Sequence, residues 1–384
     1  MRQQHVRSTT SRPVIALAAI VVVAGSSGFA GTVTATTPAS DDDIAPIVAG
    51  EPISPARCEA NRAAGTITYL TGFDFAATAS MIDVFVAAER GYFDDLCLDV
   101  EIQPSFSTAN YPLVAAGQAQ FSSGGSFSEV VSFAAANDAD LVTLSVEGRT
   151  PIDGLILKPG AAETLEDLDG ATIGVKGRMP PSISAMLATV GLVEGENFET
   201  VLLDGFDPVA HIGLDGIVGF PGYKSNEPGA LERAGIDFQL FDPIDYDIPG
   251  SFGVIYTSRD FAEDHPTATQ DFIRATMRGL ADALDDPAGA AGIAVDLVTA
   301  GGNPNFLSPE GESFRWATDA ALLAESYPAG VAFGVPDLGL LQAEVDAYAE
   351  FGLFTEAPPT LSDVVDAELV ASVYDDEQRV IWPG

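Results

Sequence analysis

Residues 66–102 read TITYLTGFDFAATASMIDVFVAAERGYFDDLCLDVEI. Both ends, TITYL (66–70) and LDVEI (98–102), mix β-branched, aromatic and apolar residues with polar ones, as strands do. Between them Ile82, Phe85, Val86 and Glu89 recur at i, i+3, i+4 and i+7, and Gly91 supplies a stop. That spacing predicts a helix. Strand, helix and strand in succession form a βαβ unit, which implies parallel strands with a helix laid across them.

The alternation continues outward. YPLVAAGQ (111–118) reads as a short helix and AQFS (119–122) as a short strand. SFSE (126–129) has the form of a capping box, with Ser126 capping the helix VVSFAAA and Glu129 reaching back. LVTLSV (141–146) and GLIL (154–157) read as strands. A second series starts near residue 159: TLEDLDG (164–170) is a capped turn, ATIGV a strand, PSISAMLATVG a helix and FETVLL a strand. DPVAHIG, DGIVGF (215–220), EPGALERAG and DFQLF extend it, and FGVIYTS (252–258) looks like a return strand. From 266 onward the chain is largely helical; Phe272, Ile273, Thr276, Met277, Leu280 and Leu284 share one face.

The expected fold is therefore α/β and two-lobed, with mostly parallel sheets flanked by helices. Lobe 1 takes 62–157 plus 252–384, and lobe 2, residues 158–251, is inserted in it. Two crossings make a hinge. The carboxyl ends of the strands face the cleft between the lobes, the natural ligand site.

Composition narrows the partners. Formal net charge is −39 over 384 residues. Such a surface repels nucleic acid and anionic membranes. Arg2, Arg7 and Arg12 precede the apolar run VIALAAIVVVAG (14–25), so residues 1–35 read as an export signal, with VTA (33–35) as an acceptable cleavage site. The run is short for a membrane span, and no cysteine follows it closely enough for a lipid anchor. An uncleaved anchor is the alternative. Residues 36–61, with SDDD and several prolines, read as a flexible linker. Export places Cys58 and Cys97, the two cysteines, in an oxidising compartment. Each lies just before a predicted strand, so a disulfide between them is expected, with two free thiols as the alternative.

Several segments resemble one family in order. YLTGFDFAATASMIDVFVAAERGYFDDLCLDVEI (69–102) resembles the opening of ABC-importer substrate-binding proteins. The similarity is to the branch holding the thiamine-pyrimidine-precursor binders and the fungal thiamine-pyrimidine synthase. Asp74-Phe75 stands where that branch has Asp-Trp, and RGYF (90–93) where it has Lys-Gly-Tyr-Phe. LVAAGQAQF (113–121), TLEDLDGATIGV (164–175), GFDPV (205–209) with DGIVGFPGYKSNEP (215–228), and SRDFAEDHPTATQDFIRATMRGLADAL (258–284) match further elements. The loop AATASMIDVF (76–85) departs, having lost the branch's prolines, asparagines and histidine.

The resemblance implies a type II periplasmic-binding-protein-like fold and a monomer that captures a small heteroaromatic ligand by hinge closure. It also implies docking to an ABC permease in the membrane, and the sequence itself offers no metal-ligand spacing and points to no cofactor. A thiamine pyrimidine precursor is the first expected ligand; riboflavin, then alkanesulfonate or nitrate, are alternatives. The synthase reading is disfavoured. Its lysine would fall near Gly124, its histidine near Ser128, and its cysteine-rich run at IPGSFG (248–253), which has no cysteine.

A flat ring needs stacking faces and a few fixed polar groups. Phe75 is the expected face and Asp74 the acceptor for ring amino groups; loop packing is their bland alternative. Ser123 and Ser126 follow a strand and face the cleft. Arg178, with Met179 beside it, pairs with an anion or closes the cleft through a salt bridge. Tyr223 and Glu227 complete the set; a carboxylate accepts a paired hydrogen bond from an aminopyrimidine. Asn226 is the expected helix cap, and Lys224 and Ser225 are expected to face solvent. Tyr246 lies near the hinge, and His211 reads as a partly buried helix residue rather than a base.

Overall fold

The computed structural model of the chain describes residues 44–303 and 307–384. The export signal and the first part of the linker lie outside the described residues.

The first half-domain contains α1 (Pro55–Ala63), β1 (Thr66–Leu70), α2 (Ile82–Glu89), α3 (Tyr92–Asp95), β2 (Asp99–Gln103), α4 (Ser107–Ala115), β3 (Phe121–Gly124), α5 (Phe127–Asn137) and β4 (Leu141–Gly148). The chain then enters β5 (Asp153–Leu157), β6 (Thr172–Val175), α6 (Pro181–Ala188), β7 (Glu199–Leu202), α7 (Pro208–Ile212), β8 (Gly219–Tyr223), α8 (Glu227–Arg233) and β9 (Gln239–Phe241). It returns through β10 (Phe252–Ser258) and α9 (Arg259–Asp264), followed by α10 (Pro266–Asp285) and α11 (Pro287–Gly301). The last helices are α12 (Pro309–Ser326), α13 (Leu338–Glu350), α14 (Leu361–Val364) and α15 (Ala367–Ala371).

Two five-stranded sheets result, ordered β2-β1-β3-β10-β4 and β7-β6-β8-β5-β9. In each, four strands run one way and one runs back: β10 is antiparallel to β3 and β4, and β5 to β8 and β9. A reversed strand begins where its neighbours end, so Asp153 pairs with Tyr223 at the cleft edge.

The first sheet carries α2 and α10 on one face, where Ile82, Phe85, Phe272, Ile273 and Leu280 are sealed from solvent. Tyr111, Phe127, Val130 and Val131 cover the other face. The second sheet packs on Ile183, Met186 and Leu187 of α6. These are the apolar faces the helical period requires.

Several segments differ from the expectations. GLIL (154–157) lies in β5 and belongs to the second sheet, so the first crossing between sheets falls between Gly148 and Asp153. The strand expected at 215–220 runs from Gly219 to Tyr223, because Asp215 and Gly216 form a turn with Gly216 at φ +86°. The C-terminal region is not confined to the first half: α13 places Leu341 and Val345 in the first core and Tyr348 in the second.

The expected flexible linker is docked over its described part. Ser54 caps α1, with its hydroxyl accepting from Arg57 N. Arg57 is buried and donates to Asp271 at 2.7 and 2.9 Å, and Asn61 donates to the same carboxylate at 2.7 Å. Cys58 of α1 is disulfide-bonded to Cys97.

Candidate functional site

The ends of β1 and β3 and the loop 76–81 face the segment after β6, Phe206 and the end of β8. They enclose a cavity of about 290 Å³. Asp153 joins this rim because β5 is reversed.

Glu227 organises one wall. Its Oε2 accepts from the backbone N–H of Tyr223 at 2.8 Å, and its Oε1 accepts from Lys176 Nζ. Gly222 is required beside it, since a Cβ there would lie 2.7 Å from the Glu227 carboxyl carbon. Burial raises the pKa of this carboxyl, but Lys176 and Arg315 outweigh burial and hold it below the ordinary glutamate value.

Asp153 behaves oppositely. Burial pushes its carboxyl up to about 7 against the Ser182 hydrogen bond, and the negative charges of Glu129 and Glu227 add to the rise. Ser182 Oγ donates to Asp153 Oδ2 at 2.8 Å. Near neutral pH this group therefore offers both a donor and an acceptor, the pattern that complements a ring nitrogen beside an amino group.

The two halves meet around the cavity. Arg178 Nη2 donates to Glu129 Oε1 at 3.2 Å. Phe206 lies 5.2 Å from Phe73 and 6.0 Å from Phe106, centroid to centroid. Arg315 Nη2 donates to Asn226 Oδ1 at 2.8 Å, joining α12 to the start of α8. A Cβ on Gly125 would fall 2.8 Å from Tyr223 Oη, so a glycine permits this approach.

Of the seven residues singled out in the sequence, Ser123, Ser126, Arg178, Tyr223 and Glu227 line the cavity. Asp74 and Phe75 do not. Asp74 Oδ2 accepts from Asn303 N at 2.6 Å, and Phe75 is buried against Phe85 in the first core. The ring that faces the cleft from this turn is Phe73.

The capping readings also change. Ser126 makes no cap bond; its hydroxyl pairs with Ser128 Oγ at 2.9 Å, and Glu129 turns to Arg178 instead of reaching back. Asn226 holds the cap position of α8 without a side-chain cap bond, because its oxygen serves Arg315. Lys224 and Ser225 are not solvent-facing: Lys224 Nζ pairs with Asp242 at 2.8 Å, and Ser225 is fully buried. Met179 is buried in the second core, Tyr246 is half-buried, and His211 is buried with Nε2 2.9 Å from Asp204 O.

Sequence reading missed Lys176, Asp153, Arg315 and Phe206 as cavity residues. Lys176 was the most legible, since it directly follows the strand ATIGV. Arg315 had no local signal, because α12 arrives from far along the chain.

Comparison with known proteins agrees with this architecture. A family model described as NMT1/THI5 like matches residues 78–290, more than half of the 384 residues, and the chain belongs to that family. The formylaminopyrimidine-binding protein of Halalkalibacterium halodurans is 29% identical over 212 residues, which are 53% of this chain and 62% of that protein. The riboflavin-binding protein RibY of Chloroflexus aurantiacus is 29% identical over 168 residues, 43% of this chain and 44% of that protein. The chain thus spans less than two thirds of either curated relative.

The structure of the alkanesulfonate-binding protein SsuA from Xanthomonas axonopodis pv. citri, bound to MOPS, superposes with a TM-score of 0.59 at 16% identity. That match covers 78% of this chain and 98% of the other. The fold is that of the periplasmic binding proteins. Among the described residues no helix is long and apolar enough to cross a membrane, and no group of His, Cys, Asp or Glu is placed to hold a metal ion.

Proposed function

We propose that the chain is an extracytoplasmic solute-binding protein of an ABC importer. It acts as a monomer, captures a neutral heteroaromatic solute between its lobes and presents the closed form to a membrane permease. The observation that carries this reading is the charge pairing of the cleft. Lys176 is paired with Glu227, Arg178 with Glu129 and Arg315 with Glu312. A site for a sulfonate or nitrate needs cations with spare charge. A neutral ring needs the opposite: compensated charge, aromatic surface and a few directed polar groups.

A thiamine pyrimidine precursor is the first candidate. It fits the name of the relative from H. halodurans, the donor–acceptor pair of Asp153 and the phenylalanines at the cleft. Cavity size supports the same choice. At about 290 Å³ the cavity sits just below the range of about 300–1,000 Å³ common for small-molecule sites. Riboflavin is the second reading, favoured by the similarity to RibY and by the small side chains of Ala76, Thr78 and Ala79 in the wall. Three fused rings and a ribityl chain ask for more room than one ring.

Binding rather than catalysis fits the positions where the synthase resemblance implies a lysine and a histidine. The residues nearest those positions are Gly124 and Ser128, and the Ser128 amide donates to Glu344 Oε1 at 3.0 Å. Export of the chain is supported by the Cys58–Cys97 disulfide, which suits an oxidising compartment.

Native mass spectrometry of the protein as purified, followed by a thermal-shift screen of vitamins and pyrimidines, tests this reading. A pyrimidine should stabilise the fold by about 2.7 kcal/mol at 100 times its Kd. A response confined to sulfonates or nitrate would replace the reading.

A further inference from the structure

We infer that Arg315 sets ligand specificity, and that the solute it selects carries a carbonyl oxygen. The inference rests on the cleft being a heteroaromatic site, and it goes further by naming a functional group on the ligand and the residue that reads it.

Arg315, Lys176 and Arg178 all line the cavity, but their nitrogens are committed differently. Lys176 Nζ is bonded to Glu227. Arg178 lies at the cleft edge with 52% of its side chain exposed, and it is bonded to Glu129. Arg315 is buried, at 3% exposure. Its Nε donates to Glu312 Oε2 at 3.1 Å and its Nη2 to Asn226 Oδ1 at 2.8 Å. Nη1 makes no hydrogen bond among the described residues, yet it is not sealed off, and the side chain borders the cavity.

Nη1 of this largely buried side chain has no acceptor within the described residues, and a ligand oxygen placed there supplies one. Two fixed nitrogens hold the planar fork, so the third points in a set direction. The charge of Arg315 is already met by Glu312. The missing acceptor is therefore a neutral carbonyl oxygen, not a carboxylate or sulfonate.

The same helix shapes the wall that would hold such a ligand. Glu312 Oε2 also accepts from Ala77 N at 2.7 Å, and Asp319 Oδ2 accepts from Ala79 N at 3.0 Å. α12 thus fixes both the donor and the loop beside it. It begins at Pro309, beyond residue 290 where the family match ends, so specificity is assigned to a part of the chain outside that match.

The test compares two neutral pyrimidines that differ in one oxygen. One is 4-amino-2-methylpyrimidine with a formamidomethyl arm at carbon 5, and the other carries a propyl group in place of that arm. The wild-type protein should bind the formamide compound about tenfold more tightly, or better, as expected for one hydrogen bond to a charged donor. Arg315→Lys should shrink this preference below about threefold, whatever its effect on the affinity of either compound alone. If Arg315→Lys does not fold, Asn226→Ala frees the guanidinium to swing and carries the same expectation. An undiminished preference in whichever variant folds overturns the assignment. Equal binding of both compounds by the wild type overturns it too, while leaving the heteroaromatic site standing. Binding of neither compound by the wild type removes the pyrimidine reading and the assignment together.

Discussion

Both carboxylate oxygens of Glu227 are engaged inside the protein, one by Lys176 and one by the Tyr223 amide. Its role is to shape the β8–α8 corner and to neutralise a half-buried lysine. Glu227→Gln keeps an acceptor for the Tyr223 amide but leaves Lys176 without its counter-charge. Stability should fall by about 1–3 kcal/mol in urea unfolding, and ligand affinity should fall by about tenfold or more. Unchanged values in both measurements would mean that Lys176 finds another partner and the corner is not held by charge. The sequence identified Glu227 as pointing at the cleft. It could not show that the carboxylate is already taken, because Lys176 lies on another strand and only the parallel pairing of β6 and β8 brings the two together.

Elements recorded by a local period were legible, and those fixed by distant partners were not. α2 and α10 follow their apolar spacing closely, because burial on one face needs only the 3.6-residue repeat. The box at SFSE failed for the opposite reason: Glu129 has a stronger partner in Arg178, which a sequence window does not contain. Pro221 and Gly222 look like breakers, yet they belong to β8, where Gly222 makes room for Glu227. α1 was hidden inside a proline-rich stretch, and its place depends on Asp271 and on the bond from Cys58 to Cys97. Replacing both cysteines by serine opens a loop with a sequence separation of 39. It should cost about 3 kcal/mol or somewhat more in urea unfolding, with the fold retained by the Arg57 and Asn61 bonds to Asp271. A loss below about 1 kcal/mol would show that those polar contacts alone dock the helix.

Acidity governs the molecule as a whole. Burial pushes the carboxyl of Asp153 up to about 7 and that of Glu344 up to about 6. It also raises those of Asp83, Glu147 and Asp319. Each of these groups keeps a proton in the folded state that the unfolded chain releases above about pH 4. The folded state therefore binds more protons between about pH 4 and 7, and stability falls as pH rises through that window. Self-repulsion from the net charge of −39 acts in the same direction. Glu227, with its lowered pKa, acts below that window: its stabilisation is complete above the ordinary glutamate value and is lost as pH falls through its folded-state value. Thermal unfolding should show a higher Tm at about pH 5.5 than at about pH 8. A Tm that rises across that interval would mean the buried carboxyls have partners that favour their charged forms.

We propose that the paired cations, the aromatic rings and the small cavity together make a site for a neutral single-ring heteroaromatic solute. Isothermal titration of the purified protein with the formamide-bearing aminopyrimidine, riboflavin and a short alkanesulfonate, side by side, tests that most directly. The account predicts saturable one-to-one binding of the pyrimidine, weaker binding of riboflavin and no heat from the sulfonate. Saturable binding of the sulfonate with none of the pyrimidine would contradict it.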